Sequence, residues 1–205
     1  MSEILTLTTQ HLWLSAAGVL IAGAIAVPLG ILITRFQNLA GIIMSAIDVL
    51  QTIPSLAMLA IALFIFGLGD GSLITALVIY SLLPILRNTY VGIKGVDPSL
   101  IEAGRGMGMT NLQLLFQVEL PIALPIILSG FRVAMVTAIG IATIGTLIGA
   151  GGLGGPIWRG IQLADNAMIL SAAIPAAALA ILSDVILGAL EKSLVPKGLK
   201  AREQS

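Results

Sequence analysis

Residues 97–121 read DPSLIEAGRGMGMTNLQLLFQVELP, and the reading of this stretch decides the fold. It lies in a segment, 93–120, that is too polar to cross a bilayer and too regular in its local signals to be a casual connection. Asp97 before Pro98 predicts a helix start: the carboxylate can hold a free N–H, and proline at the first helical position gives up an N–H that has no partner anyway. Thr110 and Gln113, three apart, form a capping box that predicts a second helix. Gly108 falls between the two as a terminator. In the first helix Leu100, Ile101, Ala103 and Met107 make an apolar surface, while Gly104 and Gly108, four apart, leave room for another backbone. A helical glycine costs about 1 kcal/mol relative to alanine, and a partner protein pressed on this surface accounts for that cost.

The sequence on either side is of another kind. Of 205 residues 58% are hydrophobic and 10% charged, with mean hydropathy +1.08, whereas soluble globular chains carry about a quarter charged residues. Lipid is therefore the solvent for most of the chain. Apolar runs occupy 12–34, 39–66, 72–92, 121–149 and 167–190, each long enough for the roughly 20 helical residues that a bilayer core requires. The expectation is an all-α membrane protein, one domain over 1–205, with about five spans and the loop 93–120 between the third and fourth. Run 39–66 contains Pro54, but cutting it there leaves two pieces too short to cross at 1.5 Å per residue. One kinked or tilted helix is expected, with a re-entrant half as the variant. Pro28 predicts a kink in the first span.

Orientation follows from Lys and Arg in short loops. A cytoplasmic C-terminus puts Arg35, Lys94, Arg105, Lys192, Lys197, Lys200 and Arg202 inside and Arg159 outside. Five spans then put the N-terminus outside, with Trp13 and Trp158 near the outer interface. No Lys or Arg precedes the first run, which reads as a retained span rather than a signal peptide. The tail 192–202 is an orientation signal or, alternatively, a contact for anionic lipid.

Several function classes are excluded. Ten basic residues balance ten acidic ones, so no nucleic-acid partner is implied. There is no cysteine, and the single His11 cannot build a metal cluster and reads as solvated or interfacial. Neither a nucleophile elbow nor a carboxylate pair placed for hydrolysis occurs, so no catalytic residue is expected. No Walker A loop occurs either, so this chain is not expected to cradle ATP itself and no cofactor is expected on it. Gly149 to Gly154 satisfies G-x-G-x-x-G, but no strand precedes it; it reads as a turn on the outer side after a long helix.

Polar residues at membrane depth face protein or water. Arg132 lies eleven residues beyond Pro121, about 16 Å along its helix; Asp48 or Asp184 can neutralise it. It is either a salt bridge locking helices or a gate on the solute path. Arg87 is close enough to the inner end to snorkel. Gln51, Thr52, Pro54 and Ser55 make a polar break in an apolar span, either lining the path or capping a kink. Nine aromatic residues are scattered over several spans and give no set of converging rings that could cage a cation.

Glu102-Ala103-Gly104, then three residues, Gly108, nine residues, Val118, one residue, and Leu120-Pro121 resemble the EAA loop of ABC-importer permeases. Gly104 stands there for the second alanine and Val118 for isoleucine. The resemblance implies a coupling helix that fits a groove on a cytoplasmic ATP-binding subunit, with docking residues Pro98, Leu100, Glu102, Ala103, Gly104, Arg105, Met107, Gly108, Leu120 and Pro121. It implies further partners: a second ATPase copy, a second permease subunit, identical or related, and an extracytoplasmic substrate-binding protein, all at a prokaryotic cell membrane. Phe131-Arg132 and Ile148 through Gly154 extend the likeness to permeases for osmoprotectants such as glycine betaine, carnitine, choline and proline betaine. Permeases for methionine and other small solutes share this plan. A stand-alone ion-coupled carrier, which would show inverted repeats and midplane acidic sites, is the alternative of another class.

Overall fold

The computed structural model describes residues 2–195. Lys197, Lys200 and Arg202 of the orientation argument lie outside the described residues. Among the described residues nine α-helices follow one another: α1 (Ser2–Arg35), α2 (Gln37–Thr52), α3 (Ser55–Phe66), α4 (Asp70–Lys94), α5 (Pro98–Gly106), α6 (Asn111–Leu114), α7 (Leu120–Ala142), α8 (Gly154–Leu163) and α9 (Asn166–Leu194). A π-helical turn, Leu115–Glu119, joins α6 to α7, and a 3₁₀ turn, Thr143–Ile148, extends α7. Four stretches are long and apolar enough to cross a bilayer, and the broken pair α2–α3 makes a fifth.

Glycines set the order of the spans, because each lets a neighbouring helix approach its backbone. A Cβ at Gly18 would stand 2.6 Å from Leu77 Cβ, and one at Gly30 would stand 2.8 Å from Thr89 Cβ, so α1 and α4 run parallel. A Cβ at Gly92 would meet Ala123 O at 3.1 Å and one at Gly130 would meet Pro84 O at 2.7 Å, so α7 runs antiparallel to α4. Helix α4 is thus packed between α1 and α7, and Leu73, Leu77, Ile85 and Leu86 on it are fully buried. On the far side of α7 lies α9, whose outward residues Ile174, Ile181, Val185 and Ile186 are exposed apolar surface of the kind lipid covers.

The run 39–66 is not one kinked helix. It breaks at Ile53-Pro54, and the two halves make an angle of 97°. Ile53 and Pro54 have extended ψ values of 124° and 141°, so the helix stops rather than bends. Each half is too short to cross alone, yet the pair carries the chain from end to end. It leaves the Arg35 end of α1 and finishes beside Gly69, whose N–H donates to Ile148 O at 2.8 Å at the opposite end of α7. This is a broken span, which explains how parallel α1 and α4 are connected. Pro28, by contrast, lies inside an uninterrupted α1.

The second expected loop helix is not a separate element either. Asn111–Leu114 passes through the π turn directly into α7, and Leu120 N–H bonds Leu115 O five residues back. The wide turn sits where Pro121 has no N–H to offer. Leu120-Pro121 is therefore part of a continuous helix rather than a joint between loop and span.

Candidate coupling loop and intramembrane groove

The polar loop between α4 and α7 is built from its caps. Asp97 Oδ1 accepts from Ser99 N–H at 2.9 Å, with Pro98 in the first turn of α5. At the other end Gly108 takes φ +81°; its N–H donates to Arg105 O at 2.9 Å, and Met109 N–H donates to Gly104 O at 3.1 Å. These two bonds define a Schellman ending, which glycine makes without steric cost. Thr110 and Gln113 form the capping box reciprocally, at 2.8 and 3.3 Å. One face of α5, with Leu100, Glu102, Ala103, Arg105 and Met107, is exposed, Met107 to 77%. Pro98 and Gly108 are exposed beside it.

Gly104 departs from its expected role. It is buried, and a Cβ there would come within 2.5 Å of Leu114 Cδ2 and 3.1 Å of Met109 Sδ. Its missing side chain lets α5 fold against Leu114 at the end of α6, so the close approach it serves is internal to the loop. Leu120 is partly buried within α7, and Pro121 is exposed at the start of that helix.

One contact anchors the loop to the rest of the molecule. Glu119, 2% exposed, lies at the end of the π turn and accepts from both terminal nitrogens of Arg35, with Nη1 to Oε1 at 3.1 Å. The bidentate geometry joins the last residue of α1 to the root of the loop. The sequence placed Arg35 only as an orientation charge.

A groove of about 290 Å³ opens in the membrane interior, lined by Gln51, Tyr80, Leu83, Pro84, Arg87, Asn88, Val133 and Thr137. The break at Pro54 is held by α4: the Tyr80 hydroxyl donates to Ile53 O, and Gln51 Nε2 donates to Tyr80 O at 2.7 Å. Pro84 explains the second bond, since proline leaves the carbonyl four residues back, that of Tyr80, without its helical donor. Thr52 Oγ1 donates to Val49 O at 2.7 Å. Of the break residues Gln51 alone lines the groove; Thr52 and Pro54 are exposed elsewhere and Ser55 is half-buried. Arg87 does not snorkel alone. Its Nη2 bonds Asp48 at 2.9 and 3.1 Å beside the groove.

Arg132 faces the other way, toward α9. It donates to both oxygens of Asp184, with Nη2 to Oδ2 at 2.7 Å, and lies 3.7 Å from Glu191, while Gly188 leaves the space that its guanidinium occupies. The structure thus separates Arg132 from Gln51 and joins it to Asp184, not Asp48.

The glycine-rich turn is tied down from three helices. Asp70 Oδ1 accepts from Gly151 N–H at 2.9 Å, and the 3₁₀ turn ends at Gly149 with φ +75°. His11 is fully buried, against the expectation of a solvated side chain. Its Nδ1 accepts from Leu153 N–H at 3.3 Å and its Nε2 lies 3.1 Å from Ile139 O, which requires a neutral ring protonated at Nε2. Gly152, at φ +101°, makes room for the ring. The turn's own amides are therefore engaged within the chain, and no strand precedes them among the described residues.

A family model described as the binding-protein-dependent transport system inner membrane component matches residues 26–197. The chain belongs to that family. It is 50% identical over 188 residues to the carnitine transport permease protein OpuCD of Listeria monocytogenes, covering 91% of this chain and 84% of that protein. It is 48% identical, again over 188 residues, to the choline transport system permease protein OpuBD of Bacillus subtilis, covering 91% and 83%. To the osmoprotectant import permease protein OsmW of Salmonella typhimurium it is 44% identical over 200 residues, covering 95% and 93%. Among solved structures, the inward-facing MetNI methionine ABC transporter matches with TM-score 0.79 at 23% identity, covering 96% of this chain and 100% of that one. An amino acid ABC transporter crystallised with histidines matches with TM-score 0.69 at 22% identity, covering 95% of each chain. At these identities the structural likeness shows the fold.

As a member of this family the chain is a multi-pass inner-membrane permease subunit of an ABC importer. Among the ties missed from the sequence are Arg35 to Glu119, Arg87 to Asp48 and His11 to Leu153. Each joins residues far apart in the chain, and only the antiparallel stacking of the spans brings them together. The signal for the second was present in the helical spacing of Asp48 and Gln51, which sets a charge and an amide on one face of α2.

Proposed function

We propose that this permease imports quaternary-ammonium osmoprotectants, carnitine, glycine betaine or choline, using ATP hydrolysed by separate cytoplasmic subunits. The observation that carries the solute class is the near full-length identity to permeases whose names specify carnitine, choline and osmoprotectant transport. The chain itself performs no catalysis and holds no cofactor; ATP and Mg belong to the ATPase pair.

The exposed face of α5 is the docking surface for an ATPase subunit, with Leu100 and Met107 as apolar anchors and Glu102 and Arg105 as polar contacts. Gly108 ends the helix so that its tip can enter a groove. The loop, the Arg35 end of α1 and the end of α9 share one side of the molecule, which we assign to the cytoplasm. The N-terminus and the glycine-rich turn then face outward, where a substrate-binding protein delivers solute. Two permease subunits, identical or related, enclose the path between them, and closure of the ATPases moves the coupling helices as rigid bodies.

The test is reconstitution of the purified complex in proteoliposomes. Uptake driven by ATP and stimulated by binding protein loaded with carnitine, glycine betaine or choline supports the reading. Uptake by this chain alone under an ion gradient, or an ATPase rate indifferent to all three loaded proteins, rejects it.

A further inference from the structure

Arg87 and Asp48 form an ion pair whose side chains are 53% and 45% exposed within the membrane-spanning part of the chain. Arg87 lies seven residues before the end of α4, about 10 Å along it at the standard rise. Asp48 stands on α2, four residues before the helix stops. Charges at such depth face protein or water, not hydrocarbon. Arg87 opens on the groove lined by Gln51, Asn88 and Thr137, with Asp48 beside it, so that groove belongs to the wet, central side of the permease. Its volume, about 290 Å³, lies at the small end of ligand pockets, which suits a solute of few atoms.

We propose that this groove is a transient site for zwitterionic solutes, in which the carboxylate of the solute takes the place of Asp48 on the guanidinium of Arg87. The proposal rests on the osmoprotectant reading above. Arg87 presents two parallel N–H groups in a fork that fits any carboxylate. Asp48 already holds one arm of that fork, with both oxygens against Nη2. One carboxylate then replaces another, so the solute is held weakly and released readily, as passage through a path demands. Asp48, once displaced, faces the water of the groove. Gln51 and Asn88 each give one N–H to the carbonyls of Tyr80 and Pro84, which leaves Arg87 as the charged donor that the groove offers an incoming anion. Choline lacks a carboxylate and passes without using it.

The experiment uses the reconstituted complex with saturating loaded binding protein, and compares uptake of glycine betaine, carnitine and choline. Arg87→Gln is expected to lower uptake of both zwitterions about tenfold relative to choline, the scale of one lost charge-assisted contact. Asp48→Asn removes the competing carboxylate and keeps the cation, so it is expected to hold zwitterions longer and to slow their uptake relative to choline, by less than Arg87→Gln does. If both substitutions depress all three solutes alike, the pair is a helix lock and the site is overturned; so it is if Arg87→Gln changes nothing. Should Arg87→Gln fail to assemble, Arg87→Lys keeps the charge and loses the fork. It must then lower the zwitterions selectively, and an equal effect on choline overturns the site. A parental complex that carries choline and neither zwitterion also overturns the site while the importer reading stands. A parental complex that carries none of the three overturns the osmoprotectant reading itself.

Discussion

The guanidinium of Arg35 grips both oxygens of Glu119, so that the final residue of the first span holds the root of the polar loop between α4 and α7. The partners are unequal: the Arg35 side chain is 46% exposed and that of Glu119 is 3% exposed. Removing the arginine strands a buried carboxylate, whereas removing the carboxylate leaves an arginine that water can solvate. Breaking a buried pair by deleting one partner costs about 3–5 kcal/mol, and the exposure of Arg35 places this case at or below the lower figure. Arg35→Met is therefore expected to lower the melting temperature of the detergent-purified protein more than Glu119→Gln does. The double variant should recover most of the difference; a double variant that melts as low as Arg35→Met contradicts the argument.

A second relationship depends on two prolines. Pro54 stops α2, and Pro84 frees the Tyr80 carbonyl that Gln51 then occupies. Gln51→Leu leaves that carbonyl without a donor, at a cost of about 1–3 kcal/mol. Pro84→Ala returns a backbone N–H four residues on, which can bond Tyr80 O within α4. The combination Gln51→Leu with Pro84→Ala should melt above Gln51→Leu alone. Additive losses in the double-mutant cycle would show that Gln51 and Pro84 are not coupled through Tyr80.

Much of this architecture was legible in the sequence because its causes are local. Apolar run length marked the spans, and the caps at Asp97, Gly108 and Thr110 marked the loop, since each acts within a few residues of itself. What escaped depends on tertiary register. The 97° break at Pro54 needed the Tyr80 side chain on another helix to hold Ile53 O. His11 looked solvated because its two partners, Ile139 O and Leu153 N–H, lie more than 120 residues away. Gly104 looked like a gap for a partner protein, but Leu114 of the same loop fills it. Of the five intramembrane residues singled out, Gln51 reaches the groove, whereas Arg132 turns to Asp184 on the opposite side of α7.

That turn yields a prediction for Arg132. With both Asp184 oxygens bonded and Glu191 near, it ties α9 to α7, and α9 is otherwise little buried. Arg132→Met should reduce the yield of assembled complex and its resistance to heat, while uptake per assembled complex stays at the parental rate. Unchanged assembly with altered solute kinetics would return Arg132 to the path.

Gly108 separates conformation from docking. A Cβ there meets nothing within 4 Å, so the cost of a side chain comes from φ +81° alone. For an L-residue that left-handed conformation costs about 1–2 kcal/mol, less for asparagine, which bonds locally. Gly108→Asn should therefore fold nearly as the parent does, and Gly108→Val should lose the Schellman ending. Gly108→Asp is tolerated by the backbone for the same reason as asparagine, but it adds a charge at the tip of the proposed docking helix. It is expected to reach the membrane in normal amount, hydrolyse ATP through its partner without response to loaded binding protein, and transport little. Parental uptake by Gly108→Asp, measured in the same vesicles as Gly108→Asn, would mean that the tip of α5 does not enter the ATPase and that coupling runs through another surface.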